Sequence, residues 1–216
     1  MEHTIEKQPR FRYYYSMIIH TLVVGPIETN CYLVADEKSR EALIIDPGDE
    51  AEKILRALKE FNLKPGYIIN THGHPDHTGG NLKLKERTRA SILIHELDAP
   101  ALSLAKSPSA DRLLKDKDQI KLSDLTFTIL HTPGHTPGGI SVYLEKEKVL
   151  FSGDTLFAGD CGRTDLPYSS DQAMANSLKK LMRLSEETRV YPGHGPSTTI
   201  GQEKRWILGK LPPPDF

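Results

Sequence analysis

Between Asn70 and His77 the chain reads Asn-Thr-His-Gly-His-Pro-Asp-His, a run that gathers four potential metal ligands, His72, His74, Asp76 and His77. Neutral imidazole and carboxylate are donors suited to zinc, iron or manganese, and they do not discriminate among these metals. A strand-like segment, Gly66-Tyr67-Ile68-Ile69, precedes the run. In extended backbone alternate side chains share a face, so His72 and His74 can project the same way. Gly73 between them leaves room for close backbone approach. Pro75 then breaks the extended course, and Asp76 and His77 fall where a helix would begin. A bend there aims the second pair at a neighbouring point, so the pattern predicts two adjacent metal positions.

Two ions need more ligands than one run supplies. Three later turns offer them: His131-Thr132-Pro133-Gly134-His135, Ser152-Gly153-Asp154-Thr155 and Tyr191-Pro192-Gly193-His194. Each follows a strand-like segment, and in each a glycine precedes a ligand-type residue. Residue types alone leave His131 and His135 as alternatives. His3, His20 and His95 lack such a setting and are expected to have structural or surface roles.

Two ions about 3.5–4 Å apart can share a hydroxide, acidifying water enough to make a nucleophile near neutrality. The same charges polarise a carbonyl and stabilise its oxyanion. With two aspartates and one hydroxide the centre carries about +1, which favours anionic substrates and intermediates. Asp76 can also orient the attacking water or carry a proton to the leaving group. Asp46, in the turn Ile45-Asp46-Pro47-Gly48, is either an acceptor for a ligand N–H or a simple turn former.

The positioning elements alternate along the chain. Strands are expected at 18–24, 30–35, 42–45, 67–69, 91–94, 125–130, 140–144, 148–151 and 188–191. Helices are expected at 50–61, 77–87, around 111–114, at 171–184 and at 200–208. Apolar residues at Ala51, Ile54, Leu55, Leu58 and Phe61 show the helical spacing of threes and fours. Short strands mixed with amphipathic helices indicate a layered α/β architecture, and the hairpin-like adjacencies from Leu125 to Phe151 argue against a purely parallel sheet.

The 216 residues allow one large domain, and no linker divides them. The expected organisation is an extension over 1–16, with its aromatic and basic run Arg10 to Tyr15, then a single domain over 17–216. A net charge of −1 argues against bulk attraction to nucleic acid or membrane. No apolar run approaches the ~18 residues of a membrane span. The start of the chain lacks the pattern of a signal peptide, and Cys31 and Cys161 form no CxxC pair. The expected compartment is a reducing cytoplasm.

Taken in order, His72-x-His74-x-Asp76-His77, His135, Asp154 and His194 resemble the metallo-β-lactamase superfamily from residue 17 to about residue 200. The resemblance implies an αββα sandwich of two mixed sheets flanked by helices. It implies that His72, His74 and His135 bind one metal and that Asp76, His77 and His194 bind the other, with Asp154 bridging. It also selects His135 over His131. Two divalent ions are then expected, zinc first, with iron or manganese as the other candidates.

The segment Phe151 to Asp165, ending Cys161-Gly162-Arg163-Thr164-Asp165, resembles the glyoxalase II-like branch, hydroxyacylglutathione hydrolases that cleave the thioester S-lactoylglutathione. That implies a small-molecule, anionic thioester as substrate, with Arg163 either binding a substrate carboxylate or pairing with a loop acid. Only 22 residues follow His194, where two-domain members continue into a helical region that holds glutathione, so the chain is expected to be closer to the compact single-domain members. Persulfide dioxygenases share the Cys-Gly-Arg-Thr-Asp-like segment, and the resemblance gives them one iron held by positions matching His72, His135 and Asp154. Lactonases and a non-catalytic, metal-stabilised binding module are further alternatives. Nuclease branches and the common dizinc β-lactamases, which carry cysteine where Asp154 stands, fit less well.

Overall fold

The computed structural model describes residues 17–103 and 106–210. The strands β1 (Met17–Val24) and β2 (Thr29–Asp36) form an antiparallel hairpin, and β3 (Glu41–Ile45) adds antiparallel to β2. From there the sheet grows by right-sized crossovers. Helix α1 (Ala51–Glu60) returns the chain to β4 (Lys64–Ile69), parallel to β3. Helices α2 (Pro75–Thr78) and α3 (Asn81–Thr88) lead to β5 (Ser91–His95), and the short β6 (Arg112–Leu114) completes the sheet in the order β1-β2-β3-β4-β5-β6.

A second sheet begins as an antiparallel meander of β7 (Gln119–Leu122), β8 (Leu125–His131), β9 (Ile140–Leu144) and β10 (Val149–Gly153). Helix α4 (Asp171–Leu181) crosses to β11 (Arg189–Pro192), parallel to β10. The two-residue β12 (Thr198–Thr199) and helix α5 (Ile200–Lys210) follow. Both sheets are mixed, as expected.

Side-chain alternation explains the stacking. Leu33, Ile44, Ile68 and Ile92 face one way and pack with Ile54, Leu58 and Leu84 of α1 and α3. Their neighbours Val34, Leu43, Ile45, Ile69 and Leu93 face the other way, onto Phe127, Ile129, Val142 and Phe151 of the second sheet. Leu150 and Val190 lie on the far side of that sheet beneath Met174, Leu178 and Leu181 of α4 and Ile207 of α5. The order is helix, sheet, sheet, helix: the expected αββα sandwich. Strands buried on both faces read as continuous apolar runs rather than alternating ones, and β2 is buried at every residue.

Some local expectations are corrected. The helix expected over 77–87 is interrupted between α2 and α3, because the Gly80 N–H donates to Pro47 O at 2.7 Å and a Cβ on Gly79 would stand 2.4 Å from Gly48 O. Backbone meets backbone there, and a side chain would keep them apart. The helix expected around 111–114 is instead β6. Asp111 zips that segment onto β5, its N–H donating to Ile92 O and its carboxylate accepting from Ile92 N–H, and three residues offer too little for a stable helix. Strand β7 was missed although Ile120 and Leu122 are buried and alternate with exposed Gln119 and Lys121. Helix α4 ends at Leu181, earlier than residue 184. The expectations for 1–16, including His3 and the run Arg10 to Tyr15, lie outside the described residues. No helix among the described residues is long and apolar enough to cross a membrane.

Candidate metal centre

Strand direction explains why distant turns meet. Strand β9 is antiparallel to both β8 and β10, and β11 is parallel to β10, so β8, β10 and β11 all end at the same edge. The loops after them carry His135, Asp154 and His194. The loop after β4 and the one-turn helix α2 bring His72, His74, Asp76 and His77 to the same place. Donor atoms of His72, His74 and His135 lie within 4.8 Å of one another, as do those of His72, His77 and Asp154, and those of Asp76, His77 and His194. All seven expected ligands therefore converge, as two triads with Asp154 between them. Asp154 lies 3.6 Å from His135 Nε2, 3.5 Å from His77 Nε2 and 3.7 Å from His194 Nε2.

Local chemistry sets each ring. The His135 Nδ1–H faces the Arg163 carbonyl at 2.9 Å, and that of His194 faces Ile27 O at 3.1 Å. His72 Nδ1 lies 3.2 Å from Thr71 Oγ1, whose hydroxyl donates to Asp46 Oδ2 at 2.6 Å. Asp46 Oδ2 also lies 3.0 Å from His77 Nδ1, a charge contact somewhat off the N–H axis, and Asp46 Oδ1 accepts from the Thr71 N–H at 2.7 Å. These partners favour the proton on Nδ1 in four of the five histidines, leaving Nε2 a bare lone pair turned inward. Asp46 is thus an orienting acceptor, in a left-handed turn conformation with φ 50°.

The inward atoms need a cation. His77 Nε2 faces His194 Nε2 at 3.3 Å, and His135 Nε2 faces His74 Nδ1 at 3.0 Å. His72 Nε2 and Asp154 Oδ1 are buried with no hydrogen-bond partner. Lone pairs opposed at such distances repel, and orphaned buried acceptors cost free energy unless something positive lies between them. The donor set fits divalent ions of the zinc, iron and manganese type, in an arrangement suited to a dinuclear centre.

Electrostatics follow the same geometry. Burial pushes the His72 and His74 imidazolium forms down, which keeps these rings neutral donors. Burial would raise Asp76, but in the metal-free protein His194 and His77, charged and with a proton on Nε2 as well, hydrogen-bond to it and hold the carboxyl well below its ordinary range. The contact with Asp76 raises His194. For His77 burial opposes charging, yet the Asp154 and Asp46 carboxylates prevail and raise it.

Neighbouring elements hold the loops. Ser177 Oγ donates to Pro133 O at 2.6 Å and the Ser170 N–H to Gly134 O at 2.8 Å, so α4 fixes the His135 turn. Across the sandwich, Tyr32 donates its hydroxyl hydrogen to Pro192 O at 2.6 Å, and Asn30 Nδ2 reaches Pro192 O and Gly195 O, which fixes the His194 turn. Asp98, 4% exposed, accepts from the Gly73 N–H at 2.9 Å and from the Gly138 N–H at 2.6 Å. Sequence reasoning missed Asn30, Tyr32 and Asp98, since each acts on a segment distant in the chain.

The other candidates fall outside the cluster. His131 stacks on His95 at 4.1 Å and its Nε2 contacts Pro137 O, which leaves His135 as the ligand-type residue at the centre. His20 stacks on Phe61 at 3.6 Å, a structural role. The Arg163 guanidinium is paired with Asp165, with nitrogen–oxygen distances of 2.7 and 2.8 Å. The loop acid expected as an alternative partner is therefore the one it meets here.

Comparison with known proteins agrees with this architecture. Residues 24–194 match the family described as the metallo-beta-lactamase superfamily. The hydroxyacylglutathione hydrolase GloC of Haemophilus influenzae is 37% identical over 205 residues, covering 88% of this chain and 96% of its own. Among solved structures, the BLEG-1 B3 metallo-beta-lactamase superimposes with a TM-score of 0.81 at 36% identity, over 89% of this chain and 100% of its own. TTHA1623 in a di-iron-bound form gives 0.79 at 39%, over 86% and 97%. ETHE1 from Myxococcus xanthus gives 0.78 at 32%, over 87% and 82%. With this match over most of its length, the chain belongs to the metallo-beta-lactamase superfamily.

Proposed function

We propose that the chain is a hydrolase of the glyoxalase II type that cleaves a thioester such as S-lactoylglutathione. In this reading His72, His74 and His135 would hold one divalent ion and Asp76, His77 and His194 a second, with Asp154 available to both. The observation that carries it is the opposition of inward lone pairs, His77 to His194 and His135 to His74, on either side of the orphaned Asp154 oxygen. The bound ions, zinc first among the candidates and iron next, supply an acidified water and positive charge for the developing oxyanion.

The remaining chemistry belongs to the side chains. Asp76 is partly exposed, unlike the buried His77, and its carboxylate takes a proton from the attacking water and returns it to the departing thiolate. Asp46 and the Arg163 and Ile27 carbonyls hold the rings while this happens. A thioester suits such a site because its thiolate leaves readily. The 37% identity with a hydroxyacylglutathione hydrolase supports the choice. A small-molecule substrate and a cytoplasmic setting complete the proposal, and the single domain over 17–216 is part of it.

The Cys161 to Asp165 segment favours one other reading, a persulfide dioxygenase with a single iron on His72, His135 and Asp154. The likeness to BLEG-1 makes a β-lactam a further acyl substrate to assay. Protein purified without added metal is expected to hold two ions per chain, to release thiol from S-lactoylglutathione and to consume no oxygen. One iron per chain with oxygen uptake on glutathione persulfide would overturn the hydrolase assignment. Asp154→Ala is expected to lose metal and activity together.

A further inference from the structure

A cavity of about 480 Å³ opens beside His74, and its walls differ in chemistry from the centre it adjoins. Leu97, Pro100, Ala101, Pro137, Pro167 and Tyr168 make most of the lining. The volume falls within the ~300–1,000 Å³ of sites that enclose small molecules. Leu97 is 55% exposed and Tyr168 88% exposed, large apolar surfaces held open to solvent at the mouth.

Among the described residues lining this cavity there is no Lys or Arg, and its one imidazole, His74, belongs to the candidate metal centre. Its acid, Asp98, is buried, with one oxygen committed to the Gly73 N–H and the other to the Gly138 N–H. Thr136, also in the lining, is uncharged and mostly buried. Arg163 lies outside this lining and is occupied by Asp165. Glutathione carries two carboxylates, and recognising them calls for Arg or Lys at bonding distance.

We infer that this cavity binds an uncharged, largely apolar arm of the substrate next to the scissile carbonyl, and that it selects thioesters of neutral apolar thiols over those of glutathione. The inference rests on the hydrolase reading for its chemistry but on the cavity for its selectivity. The positive centre still receives the oxyanion. What changes is the group beside it.

Two thioesters of one acyl group test this, one made with glutathione and the other with benzyl mercaptan, an uncharged alkyl thiol. The benzyl ester is expected to show kcat/KM at least about tenfold higher, the scale at which apolar pockets discriminate. Leu97→Lys, a substitution at an exposed rim position, is expected to lower the value for the benzyl ester and raise it for the glutathione ester. Binding of the two unreactive ketones, in which methylene replaces the thioester sulfur, is measured in parallel by calorimetry on the metal-loaded protein. The same order of affinities without turnover of either ester would sink the hydrolase reading and leave the cavity assignment standing. Equal or tighter binding of the glutathione ketone by the unmodified protein would overturn the cavity assignment, whatever the turnover.

Discussion

Gly193 faces Asp154 so closely that a Cβ added to Gly193 would stand 2.1 Å from Asp154 Oδ1 and 2.8 Å from His77 Cε1. The turn that delivers His194 therefore has no room for any side chain at the preceding residue.

Gly193→Ala is accordingly expected to push Asp154 and His77 out of place. Metal content should fall from two ions per chain towards one or none, while far-UV circular dichroism stays close to that of the unmodified protein. Elemental analysis beside the spectrum checks it. Two ions retained at full occupancy would show that Asp154 is not a ligand.

Asp46→Asn keeps the shape of the turn and suits its left-handed backbone, but it removes the charge beside His77 Nδ1 and places an amide donor in the group. Loss of an orienting partner of this kind typically costs about 10–100-fold in metal affinity. Competition with a chromophoric chelator measures the change, and an unaltered affinity would reduce Asp46 to a turn former.

Asp98→Ala leaves the Gly73 and Gly138 N–H groups without their acceptor. At about 1–3 kcal/mol for each unsatisfied buried group, roughly 2–6 kcal/mol of stability is expected to disappear in urea unfolding. The turns holding His72, His74 and His135 should loosen together, so weaker metal retention is expected in the same variant.

Asp111 gives a pH signature away from the centre. Its carboxylate accepts from Lys85 Nζ at 2.6 Å and from the Ile92 N–H at 2.7 Å, the Lys85 hydrogen bond first and the Ile92 bond next holding its pKa below the ordinary value. A lowered folded-state pKa contributes stability that is full above the unfolded value, near ~3.9, and is lost as pH falls through the folded value. Asp111→Asn should therefore destabilise the metal-free protein at neutral pH, and the difference should shrink once the pH drops below about 4. Urea unfolding across pH values checks the trend; a difference that grows on acidification would contradict it.

Much of the layered fold was legible because burial leaves a period. Ala51, Ile54 and Leu58 announced α1, and the runs that became β2, β3 and β10 announced strands. Where the period failed, a local competitor won. The helix pattern across residues 77–87 carries no mark of Pro47 and Gly48 pressing against Gly79 and Gly80. Leu113 and Leu114 allow either a helix or a strand until the free edge of β5 takes them. For β7 the alternation of Ile120 and Leu122 was present and simply short.

From residue types and order alone came the candidate ligands, with His131 and His135 still alternatives, because metal donors belong to few side chains and His72 to His77 lie close together in the chain. Family resemblance then ranked His135 above His131. Only the tertiary structure put His135 Nε2 3.0 Å from His74 Nδ1, stacked His131 on His95, and gave the Arg163 guanidinium to Asp165. It alone revealed Asp98 and Asn30 as anchors and opened the apolar cavity beside His74. The physical reason is range. Ligand type and backbone turn are properties of neighbouring residues, whereas these contacts arise when strand pairing and sheet packing bring together segments far apart along the chain.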